Sequence, residues 1–200
     1  LCLMGGEALV AMSTDVGLDL LDPKTGRAQL KYEWAHKGYR CAQPQVIDGD
    51  SIVLATGLGS GTRRLGVSKR ADGLAAEEQW TSRRLKPDFN DFVVFEGHAY
   101  GFDDSIFTSV DLENGERNWK KGRYGKGQVL LLKNSRLLLV VTERGEVVLL
   151  DADPSAHTEL ARFQALEGKT WNHPVVVGDR LYIRNAEEAA CYELPLAGPS

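Results

Sequence analysis

The feature that most constrains the fold of this chain is an internal repeat of about 40–48 residues. An aspartate that ends one strand and opens a turn recurs at Asp22, Asp111 and Asp151, which are 89 and 40 residues apart, and the longer interval equals two steps of about 44. A second marker, the turn inside the first strand pair of each unit, recurs at residues 47–51, 95–98, 133–136 and 177–180. Repeats of this length bury their apolar faces by stacking on their neighbours.

Each unit shows short β-branched and aromatic runs separated by Gly, Asp and Asn, which indicates consecutive antiparallel strands. The best-preserved copy is residues 92–119, FVVFEGHAYGFDDSIFTSVDLENGERNW. Four strands per unit at this period predict an all-β fold, a β-propeller with about four to five four-stranded antiparallel blades. The helix-like run at residues 74–79 is expected to be part of a strand. The predicted blades are residues 1–38 (partial), 39–84, 85–124, 125–167 and 168–196 (partial).

The number of units also bears on completeness. The chain starts and stops within a unit, so we expect a C-terminal segment of a longer, eight-bladed ring, with a small five-bladed ring as the alternative. Open blade faces need cover, and the expected partners are the remaining blades of the parent propeller or another protein.

Composition excludes several classes of protein. The chain is 42% hydrophobic and 26% charged with a net charge of −4, which describes a core-forming chain without the basic surface of a nucleic-acid binder. No apolar run approaches the roughly 18 residues of a membrane span. The cysteines Cys2, Cys41 and Cys191 are too few and too scattered for a disulfide framework.

A turn motif, Asp-x-x-x-Gly followed by Trp, accompanies the repeat. Aspartate accepts backbone N–H groups of a turn, glycine takes its positive φ, and tryptophan offers a large apolar surface for wedging between blades. The residues predicted to form this structural blade motif are Asp22, Gly26, Trp34, Trp80, Asp111, Gly115, Trp119 and Asp151.

This motif resembles that of the quinoprotein-like (PQQ-like) propeller repeats, Ala-x-Asp-x-x-Thr-Gly-x-x-x-Trp. The third unit matches at Asp111, Gly115 and Trp119, with Ser109 for Ala and Asn114 for Thr, while the other units keep fewer positions. The family includes eight-bladed quinoprotein alcohol dehydrogenases and non-catalytic relatives such as the propeller lipoprotein of the bacterial outer-membrane barrel-assembly machinery.

The resemblance implies a non-catalytic binding or scaffolding module in the periplasm or outside the cell, in cell-envelope assembly. Its first alternative is part of a dehydrogenase that uses pyrroloquinoline quinone (PQQ) and Ca²⁺. Its second alternative is an extracellular propeller that binds carbohydrate or peptide. Active members of the family carry paired cysteines and a metal-binding set, and here the cysteines are isolated and the histidines lack metal-ligand spacing. No catalytic residue, metal or cofactor is therefore predicted for this segment.

The best candidate for a ligand site is the polar set that precedes the first strand of each unit, because propellers commonly bind ligands at the axis. The same residues are also suited to satisfying backbone groups at strand ends. The predicted axial residues are Arg40, Gln43, Asn90, Asp91, Lys126, Gln128, Trp171, Asn172 and His173.

Overall fold

The computed structural model describes residues 2–4, 6–36 and 40–195, which form five antiparallel sheets. Within each sheet, strands that follow one another in sequence pair with one another. The predicted boundary between the first two blades, at residues 38 and 39, and the predicted end of the fifth, at residue 196, lie outside the described residues.

The first two sheets have four strands each. The first sheet contains β1 (Cys2–Met4), β2 (Glu7–Ser13), β3 (Gly17–Leu21) and β4 (Ala28–Glu33). The second contains β5 (Gln45–Asp48), β6 (Ser51–Thr56), β7 (Gly61–Arg70) and β8 (Gly73–Ser82). The sequence predicted a partial blade for the first unit, and the short β1, which pairs with β2, makes it a four-stranded sheet. The helix-like run at 74–79 lies in β8 and pairs with β7 along its length.

The remaining sheets follow the same order. The third sheet contains β9 (Val93–Phe95), β10 (His98–Asp103), β11 (Ile106–Asp111) and β12 (Arg117–Arg123). The fourth contains β13 (Gln128–Leu132), β14 (Leu137–Val141), β15 (Glu146–Asp151) and β16 (Glu159–Gln164), with a 3₁₀ turn at Lys133–Ser135. The fifth contains three strands, β17 (Val175–Val177), β18 (Arg180–Arg184) and β19 (Ala189–Glu193).

Four hydrophobic clusters stack each sheet on the next. Because successive side chains of a strand point to opposite faces, one strand serves two cores. In β13, Val129 and Leu131 pack toward the third sheet, and Leu130 and Leu132 toward the fifth. Stacked four-stranded meanders of this kind are the blades of a β-propeller. Among the described residues, no hydrophobic cluster, hydrogen bond or ion pair joins the fifth sheet to the first, so these blades do not form a closed ring.

The turn between the last two strands has one geometry in the first and third sheets. Asp22 Oδ1 accepts the N–H groups of Lys24 and Thr25 at 2.7 and 3.0 Å, which holds the pKa of Asp22 below its usual value. Asp111 Oδ1 accepts the N–H of Glu113 at 2.7 Å. The glycines that close these turns, Gly26 and Gly115, have φ values of +70° and +75°, where a Cβ is strained.

In the fourth sheet the side-chain bond of this turn is made by Asp153, whose Oδ1 accepts the N–H of Ser155 at 2.7 Å. Asp151, which the sequence assigned to that role, uses its backbone N–H to bond the carbonyl of Thr158 at 3.1 Å. The fourth connection is longer and lacks the closing glycine, so the aspartate that reaches free N–H groups lies further along the chain.

The tryptophans of the motif lie between sheets. Trp80 Nε1 donates to the carbonyl of Leu112 at 3.1 Å, which links the second and third sheets. Trp119 Nε1 donates to the carbonyl of Asp153 at 3.0 Å, which links the third and fourth. Trp34 is buried in the core of the first two sheets, with the guanidinium of Arg63 4.5 Å from its ring centroid.

One buried charge cluster lies at the end of β10. The side chain of Asp103 is 2% exposed and bonds Lys86, Arg117 and Lys120, the last at 2.5 Å. Burial alone would raise the pKa of Asp103, but the hydrogen bonds from Lys120 and Lys86 outweigh it and lower the pKa. Asp103 therefore joins the linker after the second sheet to the last strand of the third.

Candidate functional site

The segments that precede the first strands meet at one end of the stack, because β9 contacts both β5 and β13. Side chains bridge these segments from sheet to sheet. Asp91 Oδ1 accepts the backbone N–H of Gln43 at 2.7 Å, and Asn90 Nδ2 donates to the carbonyl of Gly127 at 3.0 Å. Gln128 Nε2 donates to the carbonyl of Trp171 at 3.0 Å. Asn90, Asp91 and Gln128 thus hold successive sheets together by bonding backbone groups.

A second set of side chains lies at this end, of which Trp171 is exposed and the others are half-buried, and we call it the inner-end cluster: Asp88, Phe89, Lys126, Glu143 and Trp171. Lys126 Nζ forms an ion pair with Asp88, and its backbone N–H donates to Glu143 Oε2 at 3.1 Å. Glu143 Oε1 accepts the indole N–H of Trp171 at 2.9 Å. The Trp171 ring lies 4.8 Å from the ring of Phe89, at 58°. The inner-end cluster therefore joins residues from the linkers before the third, fourth and fifth sheets.

The antiparallel order of the strands explains why Glu143 belongs to the cluster. In an up-and-down meander, the turn between the second and third strands lies at the end of the sheet where the first strand begins. The turn between β14 and β15 carries Glu143, so this residue meets Lys126 just before β13. Sequence reasoning missed Asp88, Glu143 and Lys169. The turn that follows the second strand of each sheet could have indicated Glu143, because this turn lies at the same end of the sheet as the predicted residues.

Trp171 is the exposed member of the cluster. Its side chain is 42% exposed although three neighbours fix the ring: Phe89, Glu143 and Lys169, whose Nζ lies 4.6 Å from the ring centroid. An indole that its neighbours hold in one orientation while it stays exposed loses little conformational entropy on binding a ligand, and tryptophan is enriched among residues that dominate binding energy.

Besides Asn90, Asp91 and Gln128, four predicted residues lie outside the inner-end cluster: Arg40, Gln43, Asn172 and His173. Arg40 donates to the carbonyls of Thr14, Gly17 and Trp34 at 2.9, 3.1 and 2.7 Å, so it ties the start of the second sheet to the first. Burial, and then the nearby Arg63, lower the pKa of Arg40.

Asn172 is half-buried next to Trp171 in the chain. His173 is exposed, its Nδ1–H donates to the carbonyl of Pro174 at 2.9 Å, and it lines a concavity on the open face of the fifth sheet. Gln43 is also exposed and contributes its backbone N–H rather than its side chain to the bond with Asp91.

Two clefts flank Glu143 and Arg144 at the same end of the stack. One, of about 460 Å³, lies between the third and fourth sheets and also contains Arg123 and Arg162. The other, of about 480 Å³, lies between the fourth and fifth sheets and also contains Lys169. Arg162 pairs with Glu146 and Glu159.

Across the part of the chain that the structure describes, no ion pair engages Arg123, Arg144 or Lys169. Arg123 bonds the hydroxyl of Ser105 at 3.2 Å, and Lys169 lies over Trp171. The clefts therefore offer cations without a carboxylate partner, beside the exposed indole.

Within residues 2–4, 6–36 and 40–195, no helix is long and apolar enough to cross a membrane. In the same residues, no group of three or more His, Cys, Asp or Glu side chains is close enough together to hold a metal ion.

No family model matches the sequence, and no curated protein matches it. Solved structures do match the fold of this chain. The computationally designed Ika8 protein superposes with a TM-score of 0.66 at 8% identity over 94% of this chain, and this chain spans 56% of the Ika8 chain. BamB from Moraxella catarrhalis gives a TM-score of 0.47 at 13% identity, over 92% of this chain and 68% of the BamB chain. At these identities the similarity concerns the fold alone. The chain has an all-β propeller fold of stacked antiparallel sheets, and its resemblance to quinoprotein-like repeats stays a prediction from sequence.

Proposed function

We propose that this chain is a non-catalytic β-propeller module that acts as a scaffold by binding a protein or other ligand at the inner-end cluster. The observation that carries the proposal is the indole of Trp171, which is 42% exposed yet fixed by Phe89, Glu143 and Lys169. A fixed, solvent-facing aromatic ring with charged neighbours is the composition of an interaction hot spot.

The lining of the adjoining clefts specifies the ligand chemistry further. Arg123, Arg144 and Lys169 supply positive charge around Glu143, and guanidinium groups bind carboxylates through two parallel hydrogen bonds. The ligand that fits is a peptide segment with an apolar or aromatic side chain for Trp171 and carboxylates for the flanking cations.

An array of synthetic peptides that vary in acidic and aromatic content tests this proposal, with the labelled full chain as the probe. We expect binding to acidic, aromatic peptides that falls at least about tenfold in Trp171→Ala and in Arg144→Ala. The matched controls are Tyr182→Ala, which removes a similarly exposed ring (45%) from the open face of the fifth sheet, and Arg27→Ala, which removes an exposed arginine from a turn of the first sheet. Equal binding by Trp171→Ala and Tyr182→Ala would exclude the inner-end cluster as the site.

Quinone-dependent dehydrogenation is the alternative that the sequence resemblance raises. The oxygen donors at the inner end do not fit a calcium site, which takes six to eight oxygens. Asp88 pairs with Lys126, Glu143 accepts from Trp171, and Asp91 accepts from Gln43. We expect no cofactor absorption band and no dye reduction with alcohols after addition of PQQ and Ca²⁺. Stoichiometric reconstitution would overturn the scaffold assignment.

A second candidate function, an extracellular carbohydrate-binding propeller, is favoured by the same exposed indole, because aromatic rings contact sugar rings. Binding to a panel of oligosaccharides, with none to the peptide array, would favour this second function over peptide binding. Whichever ligand binds, we expect Trp171→Ala to remove the binding. A role in cell-envelope assembly, and a periplasmic or extracellular location, are proposed from the resemblance of the blade motif. Fractionation of cells that produce the tagged parent protein measures the location directly.

A further inference from the structure

The turn between β11 and β12 contains a chemically labile pair, Asn114 followed by Gly115. The sequence has six asparagines, and Asn114 is the one that precedes a glycine. A glycine at this position has no side chain to keep its backbone nitrogen away from the asparagine carboxamide. Asn114 is exposed, so water and hydroxide reach its side chain. Sequence and exposure therefore favour spontaneous deamidation at this residue.

The reaction at this pair needs no enzyme, cofactor or oxidant. The backbone nitrogen of Gly115 attacks Cγ of Asn114 and forms a bond to it, the Cγ–Nδ2 bond breaks, and ammonia leaves with the proton of the Gly115 N–H. Water then opens the cyclic imide at one of its two carbonyl carbons. Opening at Cγ gives aspartate, and opening at the backbone carbonyl gives isoaspartate, whose main chain contains an additional methylene group. One water enters and one ammonia leaves, so nothing is oxidised or reduced.

Hydrogen bonds hold both reacting groups in the folded turn. The Gly115 N–H donates to the carbonyl of Asp111 at 2.9 Å, and Oδ1 of Asn114 accepts the N–H of Glu116 at 2.8 Å. The attacking nitrogen has to lose its bond to Asp111, and the carboxamide has to turn from Glu116 toward Gly115. Closure of the imide ring therefore requires the turn to open, so its rate depends on how often the turn opens.

Side chains of the second sheet hold this turn closed. Ser82 Oγ donates to the carbonyl of Gly115 at 2.6 Å. The carbonyl of Leu112 accepts the indole N–H of Trp80 at 3.1 Å and the guanidinium of Arg64 at 2.7 Å. Gly115 itself is buried, and the ring of Trp80 lies so close to it that an added Cβ would be 2.8 Å from the ring. The contact between the second and third sheets therefore determines how often the turn opens.

The corresponding turn of the first sheet has the same hydrogen bond without the labile group. Thr25 occupies the place of Asn114, and its Oγ1 accepts the N–H of Arg27 at 3.3 Å, as Oδ1 of Asn114 accepts the N–H of Glu116. Threonine has no carboxamide, so the first turn cannot form the imide. Asn114→Thr is therefore a variant that suits the turn and cannot react.

We propose that Asn114 is a site of spontaneous deamidation whose rate is controlled by the contact between the second and third sheets. Isoaspartate lengthens the main chain between Asp111 and Gly115, so the bond between these two residues is lost and the turn no longer fits against Trp80. The modification therefore accumulates in chains whose second and third sheets have separated, and it weakens the contact between those sheets afterwards. It does not involve the inner-end cluster and is independent of the proposed function.

Incubation of the full chain in mildly alkaline buffer, followed by peptide mass spectrometry and enzymatic methylation of isoaspartate, tests the proposal. We expect conversion at Asn114 that is at least about tenfold faster in concentrated urea than in the folded chain. Ser82→Ala removes a bond to the turn and should speed conversion in the folded chain about two- to tenfold. The matched control is Ser13→Ala, which should leave the rate unchanged, because Ser13 Oγ bonds the carbonyl of Ala42 beside the first sheet.

Urea unfolding measures the effect of the product. The isoaspartate form should unfold at lower urea than the unmodified chain, whereas Asn114→Asp, which adds the charge alone, and Asn114→Thr should unfold close to it. Equal conversion rates in the folded and unfolded chains, or in Ser82→Ala and Ser13→Ala, would overturn the proposal, as would conversion mainly at another asparagine. An isoaspartate form as stable as the unmodified chain would refute the weakened contact. Circular dichroism checks that Ser82→Ala folds, and Trp80→Phe, which removes the indole N–H from the turn, replaces it if it does not.

Discussion

Gly115→Ala is the substitution whose effect the structure specifies most fully. Gly115 closes the turn between β11 and β12 at φ +75°, a conformation that costs an alanine about 1–2 kcal/mol. A methyl group there would lie 2.8 and 3.0 Å from ring atoms of Trp80 and 3.1 Å from Cβ of Ser82. Overpacking of this kind typically costs about 1–3 kcal/mol. The two contributions together give an expected loss of about 2–5 kcal/mol in the free energy of unfolding.

Gly26→Ala separates these two contributions. Gly26 closes the corresponding turn of the first sheet at φ +70°, and a methyl group there would meet no atom within 4 Å. Only the backbone strain of an alanine at positive φ applies here, so we expect a loss of about 1–2 kcal/mol in the free energy of unfolding. Urea unfolding, followed by circular dichroism and by tryptophan fluorescence, measures both variants. The difference between them, about 1–3 kcal/mol, is the packing of the third-sheet turn on Trp80.

The reasoning fails if Gly115→Ala is no more destabilising than Gly26→Ala. It also fails if the excess loss of Gly115→Ala persists in a Trp80→Ala background. In that background the methyl group of Gly115→Ala no longer meets the Trp80 ring. The losses in free energy of unfolding of the two glycine variants should therefore become similar. Interacting neighbours are expected to be non-additive in this way.

Three further perturbations follow from buried polar groups. Asp103→Asn should lower the free energy of unfolding by about 3 kcal/mol, since it removes the buried carboxylate that pairs with three half-buried cations. The pKa of Asp103 lies below its ordinary value, so this stabilisation is present above about pH 4 and is lost as the pH falls through the pKa of the folded state. If the difference in free energy of unfolding between Asp103→Asn and the unsubstituted chain stays constant down to about pH 2, the prediction is wrong. Burial lowers the pKa of His157, whose Nε2 lies 2.9 Å from the Tyr124 hydroxyl, so stability should fall as the pH drops below about 6.5. His157→Gln should weaken that dependence without abolishing it, because burial lowers the pKa of His36 as well. An NMR titration midpoint of His157 at or above about 6.5 would contradict the prediction. Asn90→Ala should cost about 1–3 kcal/mol in urea unfolding because it leaves buried backbone groups unpaired, and a loss under about 0.5 kcal/mol would show that the bridge is dispensable.

The sequence was most informative where a local rule repeats. The turn at Asp22 and the turn at Asp111 each depend on an aspartate and a glycine a few residues apart, so the pattern is readable without neighbours. The same reading placed the fourth-sheet turn at Asp151, whereas Asp153 makes the bond, because loop length decides which carboxylate reaches a free N–H.

The meeting of the segments before the first strands was predictable from the sequence, but the contacts of their side chains were not. Residues before the first strands do lie together, since strand order brings those segments to one end of the stack. Asn90, Asp91 and Gln128 turned inward to bond backbone groups of the next sheet, while Trp171 stayed exposed. Whether a polar side chain meets a carbonyl or solvent depends on the offset between neighbouring sheets, which no single segment encodes.

The sequence by itself determined the period, the strands and the turns, because alternation of side chains and turn chemistry act over a few residues. The tertiary structure alone decided which distant groups meet. It buried Asp103 among three cations and brought Glu143 to Trp171. These contacts join residues from different sheets, so their energies depend on how blades stack, and stacking is fixed only when both faces of each sheet have found their partners.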